Sequence, residues 1–320
     1  MDEANVSAED LSFIHQQAFF VRLDGQIITR LVIVLFTSLL SVYVNSVMFF
    51  TLMSKPVFRE TSRYILFANI VLSDSILLLS NTVLYLFAVA YLYVFKVICA
   101  LVMLCTVVTY TFTPLTLAVM SLERYVAICF PLQHAEITTQ KRTNIAVGVV
   151  WLLASLNFII DMFYTTVTMP HSFITPTFCT RERLLIAKWQ LDLYNGLNGF
   201  YLVAVAVIII YTYVAIMLAA RSISTDKDSA KKARKTVLFH AIHLGLCLTS
   251  FLYSVFERML STIDLTLYMN FRVLLYLVLY ILPRCLSPLI YGLRDDTFRP
   301  LFLSNFRCRS GNVKPAVILH

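Results

Sequence analysis

The stretch that decides the fold lies at the end of an uncharged run, residues 97–122, and continues beyond it. It reads Ser121-Leu122-Glu123-Arg124-Tyr125-Val126-Ala127-Ile128-Cys129-Phe130-Pro131-Leu132. A helix needs about 20 apolar residues to cross the hydrocarbon core of a bilayer, and this run is long enough. Glu123 and Arg124 are the first charges after the run. The pattern therefore predicts a membrane-spanning helix that ends in a charged pair at one membrane surface.

Six further runs have the same apolar character. They cover residues 31–54, 64–95, 143–160, 193–220, 236–256 and 273–293, with Asp74 and Arg284 as their only charges. The run 64–95 must also contain a short turn. A soluble helical bundle would confine its apolar residues to one stripe of each helix, whereas these runs are apolar all round. The sequence predicts an all-α membrane protein, a bundle of seven transmembrane helices.

The composition agrees with a lipid environment. Hydrophobic residues make up 59% of the chain and charged residues 14%, against about 45–50% and about 25% in soluble domains. The seven cysteines include no Cys-x-x-Cys pair and no Cys/His cluster with metal spacing, so no metal and no cofactor are expected. The polar first 26 residues do not have the pattern of a cleaved signal peptide.

The distribution of basic residues predicts the orientation. Segments 54–63, 123–142, 221–235 and 294–320 contain 17 Lys and Arg, whereas the segments on the opposite side contain 7. Basic loops stay on the cytoplasmic side. We therefore expect an extracellular N-terminus (1–26), a seven-transmembrane domain (27–293) and a cytoplasmic amphipathic helix and tail (294–320). Asn5 begins a glycosylation sequon on the outer side.

The cytoplasmic side carries two further features. Residues 296–306 mix apolar and basic side chains and are predicted to form a short helix on the inner leaflet. Cys308 beside them is either a palmitoylation site or a free thiol. Residues 231–235 (Lys-Lys-Ala-Arg-Lys) anchor the sixth span to anionic headgroups or contact an intracellular partner.

The stretch 121–132 resembles the Asp/Glu-Arg-Tyr motif of rhodopsin-like G-protein-coupled receptors, and within them the odorant-receptor form. That form reads Asp-Arg-Tyr-Val-Ala-Ile-Cys, then an aliphatic or aromatic residue, then Pro-Leu. Residues 124–129 match it, as do Pro131 and Leu132, while Glu123 replaces the usual Asp. The resemblance covers nearly the whole membrane core. The second outer loop lacks the usual extra cysteines, so the chain looks more like the divergent fish groups of odorant receptors.

The resemblance implies a switch at the inner end of the third span. Glu123 would hold Arg124 while the bundle is closed, and Arg124 would contact a heterotrimeric G protein after opening. The expected partner is the stimulatory type that raises cyclic AMP. Tyr125 completes the motif, and Tyr213 and Tyr291 match tyrosines that pack near the arginine in the active state. His243 matches a span-six histidine and is either a switch residue or a packing residue.

The outer end of the third span also matches the family. Cys99 precedes Arg124 by 25 residues, the family's separation between its span-three cysteine and the arginine. The family pairs that cysteine with one in the second outer loop, where Cys179 is the only candidate. The resemblance thus implies a disulfide between Cys99 and Cys179.

Polar residues inside the membrane are costly, so each needs a role. Asn45 and Asp74 match the family's buried polar pair. Residues 287–291 resemble its Asn-Pro-x-x-Tyr motif, with Pro288 matching and Ser287 in place of Asn. Arg284 lies one turn earlier, where a small polar residue is usual. Since spans two and seven are neighbours in this family, Arg284 either pairs with Asp74 or reaches headgroups or backbone carbonyls.

The resemblance also places a ligand in the outer half of the bundle, between spans three, five, six and seven. Counting along these spans gives twelve residues that are expected to line the pocket: Thr106, Val107, Tyr110, Thr111, Leu197, Asn198, Tyr201, Phe251, Val255, Arg258, Leu277 and Tyr280. We expect about half of them to touch the ligand and the others to pack between helices. Such walls suit a small, mostly apolar ligand. Thr106 stands where amine receptors have Asp, and residues 267–293 contain no lysine for retinal.

The predicted function is therefore an odorant receptor, with no catalytic activity. A non-olfactory rhodopsin-like receptor for a lipid or peptide is the alternative within the class. A transporter or channel is disfavoured by the lack of an internal repeat and of broken helix pairs. A membrane enzyme is disfavoured because none of the motifs of hydrolases or metalloproteases lies within the spans.

Overall fold

The computed structural model describes residues 25–90, 92–223, 273–295 and 297–306, and the single positions 245, 253, 256, 259 and 271. Six helices in this part are long and apolar enough to cross a membrane. Five are continuous: α1 (Gly25–Met53), α3 (Ser62–Val89), α4 (Lys96–Cys129), α6 (Gln140–Thr168) and α8 (Lys188–Ile223). They are spans one to five. The sixth (Val273–Ile290) is span seven.

The helices extend beyond the apolar runs from which they were predicted. Span three continues through Glu123 and Arg124 to Cys129, and span four starts three residues before and ends eight residues after the run 143–160. Helix ends can project into the headgroup region, where charged side chains are tolerated. The prediction of span six, residues 236–256, falls outside the described residues except at positions 245, 253 and 256.

Short helices connect the spans on one side of the bundle. α2 (Pro56–Glu60) joins spans one and two, and α5 (Pro131–Ile137) joins spans three and four. Each begins with proline, which suits the first turn of a helix because no backbone N–H is needed there. Span four then begins after Thr139, whose Oγ1 accepts a hydrogen bond from the backbone N of Arg142 at 3.4 Å.

Span three lies at the centre of the described bundle, with spans two, four and five packed around it. Its buried side chains face all three neighbours, and Phe112 stacks on Trp151 of span four with ring centroids 4.1 Å apart. Span one packs on span two and on the last helix.

The opposite side of the bundle has a small antiparallel sheet. β1 (Tyr93–Phe95) pairs with β2 (Pro176–Phe178), with Val94 opposite Thr177. The sequence predicted only a short turn within the run 64–95. A 3₁₀ helix (Pro170–Ile174) precedes β2, and α7 (Arg181–Leu184) follows it. The loop between spans four and five is therefore ordered against the end of span three.

Span seven contains an irregularity. Residues Tyr276–Ile281 form a π-helical segment, and α9 (Leu282–Arg294) follows it. The backbone N–H of Leu282 donates to the carbonyl oxygen of Leu277, five residues earlier. Segments of this kind often lie at functional sites. Here the segment ends three residues before Arg284.

The predicted short helix after span seven is present as α10 (Phe298–Phe306). Its buried rings Phe298 and Phe302 join an aromatic cluster with Phe58 and Phe67. Asn305 Nδ2 donates to Thr51 Oγ1 at 3.0 Å, which ties the helix to span one. This apolar face packs on the bundle itself.

Candidate functional site

A buried ion pair joins spans two and seven in the middle of the bundle. Arg284 Nη1 donates a hydrogen bond to Asp74 Oδ1, and the two side chains are 3% and 1% exposed. Thr113 of span three donates to the same oxygen at 3.1 Å. The structure thus brings Arg284 and Asp74 together. Asn45 on span one is fully buried, and no hydrogen bond to its amide is found within the described part of the chain.

An aromatic cluster continues this pair along span seven. The guanidinium of Arg284 lies 5.1 Å from the ring centroid of Tyr280, and Asn81 of span two donates a hydrogen bond to the Tyr280 hydroxyl. Tyr280 stacks on Tyr276 at 5.2 Å, and Tyr253 packs against both rings. The cluster connects the ion pair to the region where the ligand was predicted.

The charged pair at the end of span three is formed as predicted, with an additional partner. Arg124 Nε lies 3.4 Å from Glu123 Oε2, and the Glu123 side chain is 8% exposed. His134 of α5 places Nε2 3.2 Å from Glu123 Oε1. Sequence analysis missed His134 because its position depends on how α5 folds back. The carboxylate is therefore shared between a guanidinium and an imidazole.

Span five reaches the same end through a different tyrosine from the one predicted. The ring of Tyr211 lies 5.9 Å from that of Tyr125, whereas Tyr213 makes no ring contact with Tyr125 within the described part of the chain. Tyr213 therefore lies away from the motif in this structure, and its packing in an active state stays a prediction. Tyr211 was missed because one-dimensional counting could not resolve which of two nearby tyrosines faces span three.

The opposite end of the bundle holds the Cys99–Cys179 disulfide, with its Cα atoms 5.4 Å apart. Both cysteines are buried. They belong to an apolar cluster that includes Val107, Phe158 and Leu184. The bond fixes the loop between spans four and five to span three, as the family resemblance implied.

A second polar group beside the disulfide was missed. Asp161 directly follows the apolar run 143–160 and was therefore expected in the outer loop, but span four continues to Thr168 and buries it. Its Oδ2 accepts hydrogen bonds from Arg181 (3.1 Å) and Asn157 (3.2 Å), and its Oδ1 accepts one from Gln190 (3.3 Å). An acidic residue four positions after an asparagine in an apolar segment was the available clue, since both side chains lie on one helix face.

The predicted ligand-lining residues occupy several environments. Val107 is buried near the disulfide, and Thr111 is buried with its hydroxyl bonded to the carbonyl of Val107. The Tyr201 hydroxyl donates to the carbonyl of Leu153 on span four at 3.2 Å. The others that the structure describes are half-buried or belong to the tyrosine cluster: Thr106, Tyr110, Leu197, Asn198, Leu277 and Tyr280. Contact with a ligand stays a prediction for each.

Several predicted residues fall outside the described part of the chain. They are Asn5, His243, Phe251, Val255, Arg258 and Cys308, together with the side chains of Ser287 and Tyr291. Pro288 is described and is buried in α9. The roles predicted for these residues stay predictions.

Comparison with known proteins agrees with this architecture. Residues 44–291 match the family of seven-transmembrane receptors described as the rhodopsin family. Odorant receptor 131-2 of Danio rerio is 33% identical over 263 residues, which cover 80% of this chain and 79% of that receptor. Human olfactory receptors 52N4 and 2AG1 are 25% and 28% identical over 205 and 210 residues, covering 60% and 62% of this chain and 62% and 63% of their own length.

The chain belongs to the rhodopsin family of seven-transmembrane receptors. It is therefore a multi-pass membrane protein of a receptor family and not of an enzyme family, as predicted from the sequence. Its fold is a bundle of seven transmembrane helices with a short additional helix after the last span.

Proposed function

We propose that this chain is an odorant receptor that binds a small molecule in the outer half of its bundle and activates a heterotrimeric G protein. The observation that carries the proposal is the charged pair of Glu123 and Arg124 at the end of span three, within a stretch of odorant-receptor type. The 33% identity to an odorant receptor over 80% of the chain supports it.

The mechanism is a shift between a closed and an open bundle. A ligand shifts this equilibrium only by binding the open form more tightly than the closed form. In the closed form Glu123 holds Arg124, with His134 as a second partner of the carboxylate. Opening releases Arg124 toward the G protein, for which we propose the stimulatory type that raises cyclic AMP.

Topology and location are part of the same proposal. The excess of Lys and Arg on one set of loops supports a plasma-membrane receptor with its N-terminus outside. The disulfide supports the same orientation, because such bonds persist in oxidising compartments. The outer half of the bundle then faces the odorant, and the Glu123-Arg124-Tyr125 end faces the cytoplasm.

A cyclic-AMP reporter screen against a broad odorant panel tests the proposal. We expect at least one odorant to raise the reporter in cells that express the chain. Arg124→Ala should abolish that response while surface expression stays largely intact. Arg59→Ala is the matched control, because Arg59 is an exposed arginine on α2 on the same side of the bundle. Signalling retained by Arg124→Ala, or lost equally in both variants, would contradict the switch.

A further inference from the structure

The carboxylate of Glu123 is shared between side chains of two different elements. Its Oε2 lies 3.4 Å from Arg124 Nε on the same helix, and its Oε1 lies 3.2 Å from His134 Nε2 on α5. Because each partner uses its own oxygen, both can be bound at the same time. The Glu123 side chain is only 8% exposed, whereas that of His134 is 34% exposed. Water can therefore deliver a proton to the imidazole while the carboxylate stays shielded.

Hydrogen bonds attach the segment around His134 to spans two and four. Ser62 Oγ of span two donates to the carbonyl oxygen of Thr138 at 2.7 Å, and Thr143 Oγ1 of span four donates to Ser62 Oγ at 2.7 Å. The backbone N of Thr138 donates in turn to the carbonyl oxygen of His134 at 2.9 Å. The release of Arg124 therefore does not require that the imidazole leaves the carboxylate.

The charge of the imidazole affects how strongly Arg124 is held. Histidine is the residue type whose charge ordinarily changes between about pH 5 and 8. With a neutral imidazole, the guanidinium is the counter-ion of Glu123. A protonated imidazole neutralises the carboxylate and repels the guanidinium, so the attraction on Arg124 becomes weaker. The release also costs less, since the shielded carboxylate keeps a counter-ion afterwards.

The same argument gives the direction of the pH effect. In the closed form His134 shares Glu123 with Arg124, and after the release it has the carboxylate to itself. The imidazole therefore binds a proton more tightly in the open form. A ligand that binds one form more tightly shifts the equilibrium toward that form, and this holds for a proton as well. Acidification at this end of the bundle should favour opening, and the effect should disappear as the pH rises and His134 loses its proton.

Other charged groups surround α5 but do not provide the same response. All of them are exposed, so water and salt screen their charges. Arginine and lysine also keep their charge over the range in which histidine titrates. His134 is the one histidine at this end of the bundle among the residues that the structure describes. The exposed groups are Arg59 and Glu60 of α2, Glu136 of α5, and Lys141 and Arg142 of span four.

We propose that His134 is a positioning residue of the switch and makes it responsive to cytosolic pH: the protonated imidazole takes over the carboxylate of Glu123 and promotes the release of Arg124. The proposal rests on the proposed receptor function and orientation, and it adds a form of regulation to them. A receptor of this kind responds more strongly in a cell whose cytosol is acidified.

A titration of His134 tests the competition directly, without a ligand or a G protein. The purified receptor is labelled at its histidines, and nuclear magnetic resonance follows their titration. The chain has six histidines, and the signal that is lost in His134→Gln identifies the one in question. Arg124→Ala imitates the released state. It should raise the pH midpoint of His134 by about 0.3–0.7 units, a twofold to fivefold change in proton affinity, the range of a partly exposed ion pair.

A matched variant controls for a general loss of positive charge. Lys141→Ala removes an exposed cation from the start of span four and should leave the midpoint unchanged. Equal midpoints in Arg124→Ala and Lys141→Ala would refute the competition. If Arg124→Ala does not yield folded receptor, Glu123→Gln replaces it. That variant removes the anion, so it should lower the midpoint, and an unchanged midpoint would refute the proposal.

A second experiment tests the effect on activity. Nucleotide exchange on a stimulatory heterotrimeric G protein is measured with the purified receptor in lipid nanodiscs at about pH 6 and pH 8, without ligand. Each rate is divided by that of His134→Gln at the same pH, which cancels the effect of pH on the G protein. The ratio for the unaltered receptor should be about twofold to fivefold higher at the lower pH.

Two further variants make the activity test specific. His134→Arg carries a permanent charge, so its ratio should be high at both pH values. His171→Gln alters a histidine in the 3₁₀ helix at the opposite end of the bundle and should keep the pH dependence of the unaltered receptor. A ratio for the unaltered receptor that does not change with pH would overturn the proposal.

The two experiments distinguish this proposal from the proposed function. If Arg124→Ala raises the midpoint of His134 but neither exchange nor the odorant screen shows signalling, the competition for Glu123 stands and the receptor function fails. If odorants raise cyclic AMP and the midpoint of His134 is the same with and without Arg124, the receptor function stands and the pH response fails.

Discussion

Gly292 lies where span seven meets span one and α10. A Cβ atom at this position would approach Met48 Cε to 2.5 Å and Phe298 Cε1 to 2.9 Å. Met48 can move its terminal methyl group, but the Phe298 ring is 1% exposed and packed. We expect Gly292→Ala to lower the stability of the purified receptor by about 1–3 kcal/mol, which is typical of overpacking.

A glycine in open space provides the control for this substitution. At Gly148 in span four, a Cβ atom would meet no neighbouring atom within 4 Å. Gly148→Ala should therefore leave the melting temperature unchanged or raise it, because alanine favours helix by up to about 1 kcal/mol over glycine. Equal melting temperatures for both variants would show that the contact around Gly292 is not tight.

The Asp74–Arg284 pair allows a second prediction. Removing one partner of a buried ion pair typically costs about 3–5 kcal/mol, since the other charge is left uncompensated. We expect Asp74→Asn and Arg284→Gln each to lower the melting temperature of the purified receptor, and the double variant to recover part of the loss. A double variant as unstable as the sum of the two singles would mean that the two residues are not coupled.

At single positions, sequence analysis succeeded where a membrane charge had few available partners. Asp74 was named as one of two possible partners of Arg284, beside headgroups or backbone carbonyls, because each is the only charge of its predicted run and the family places spans two and seven side by side. Asp161, Arg181 and His134 were missed. Their contacts depend on where span four ends and on how α5 and the second outer loop fold back, and the spacing of Asn157 and Asp161 was the clue that the sequence held.

At the scale of elements, α10 depends on Asp295, three residues before its first residue. Asp295 Oδ1 accepts hydrogen bonds from the backbone N atoms of Thr297 and Phe298, both at 3.0 Å. Its Oδ2 accepts one from the Tyr64 hydroxyl at 2.8 Å and lies 3.2 Å from Arg63 Nη2. One carboxylate thus caps α10 and ties it to the start of span two.

This geometry predicts a graded series. Tyr64→Phe removes the hydrogen bond that its hydroxyl donates to Asp295 and the one that it accepts from Arg63, and should cost about 1–2 kcal/mol of stability. Asp295→Ala removes the cap as well, which adds about 0.5–2 kcal/mol. Melting temperatures of the purified variants measure both effects. A larger loss for Tyr64→Phe than for Asp295→Ala would contradict the capping role.

The elements themselves were largely predictable, because membrane helices follow from uninterrupted apolar length. Their ends were not. Span four runs eight residues past its apolar run, through Asp161, because a buried network satisfies that charge. The pairing of β1 with β2 was also missed. The two strands are far apart in the sequence and meet beside the Cys99–Cys179 disulfide.

At the scale of the whole molecule, the charge distribution predicts topology. An epitope attached to the N-terminus should bind antibody on intact cells, and one attached to the C-terminus only after permeabilisation. Treatment with a glycosidase should lower the apparent mass of the unaltered chain. The mass of the Asn5→Gln variant should not change on the same treatment. Antibody binding to the C-terminal epitope on intact cells would contradict the proposed orientation.

The arrangement of helices could be anticipated only through family resemblance. Apolar runs predict how many spans there are, but the packing of span three against spans two, four and five follows from side-chain contacts such as Phe112 on Trp151. The ligand site was the least predictable part. Counting along helices could not show that the Tyr201 hydroxyl bonds to span four.

The π-helical segment Tyr276–Ile281 has a consequence for evolutionary comparison. A π turn accommodates one more residue than an α turn, so it is equivalent to a one-residue insertion in span seven. A relative whose span seven is a regular α-helix lacks that extra residue. When the two sequences are aligned on one side of the segment, the residues on the other side are therefore out of register by one. An ungapped alignment anchored on Pro288 would then assign the wrong equivalents to residues before Tyr276, each displaced by about 100° around the helix axis.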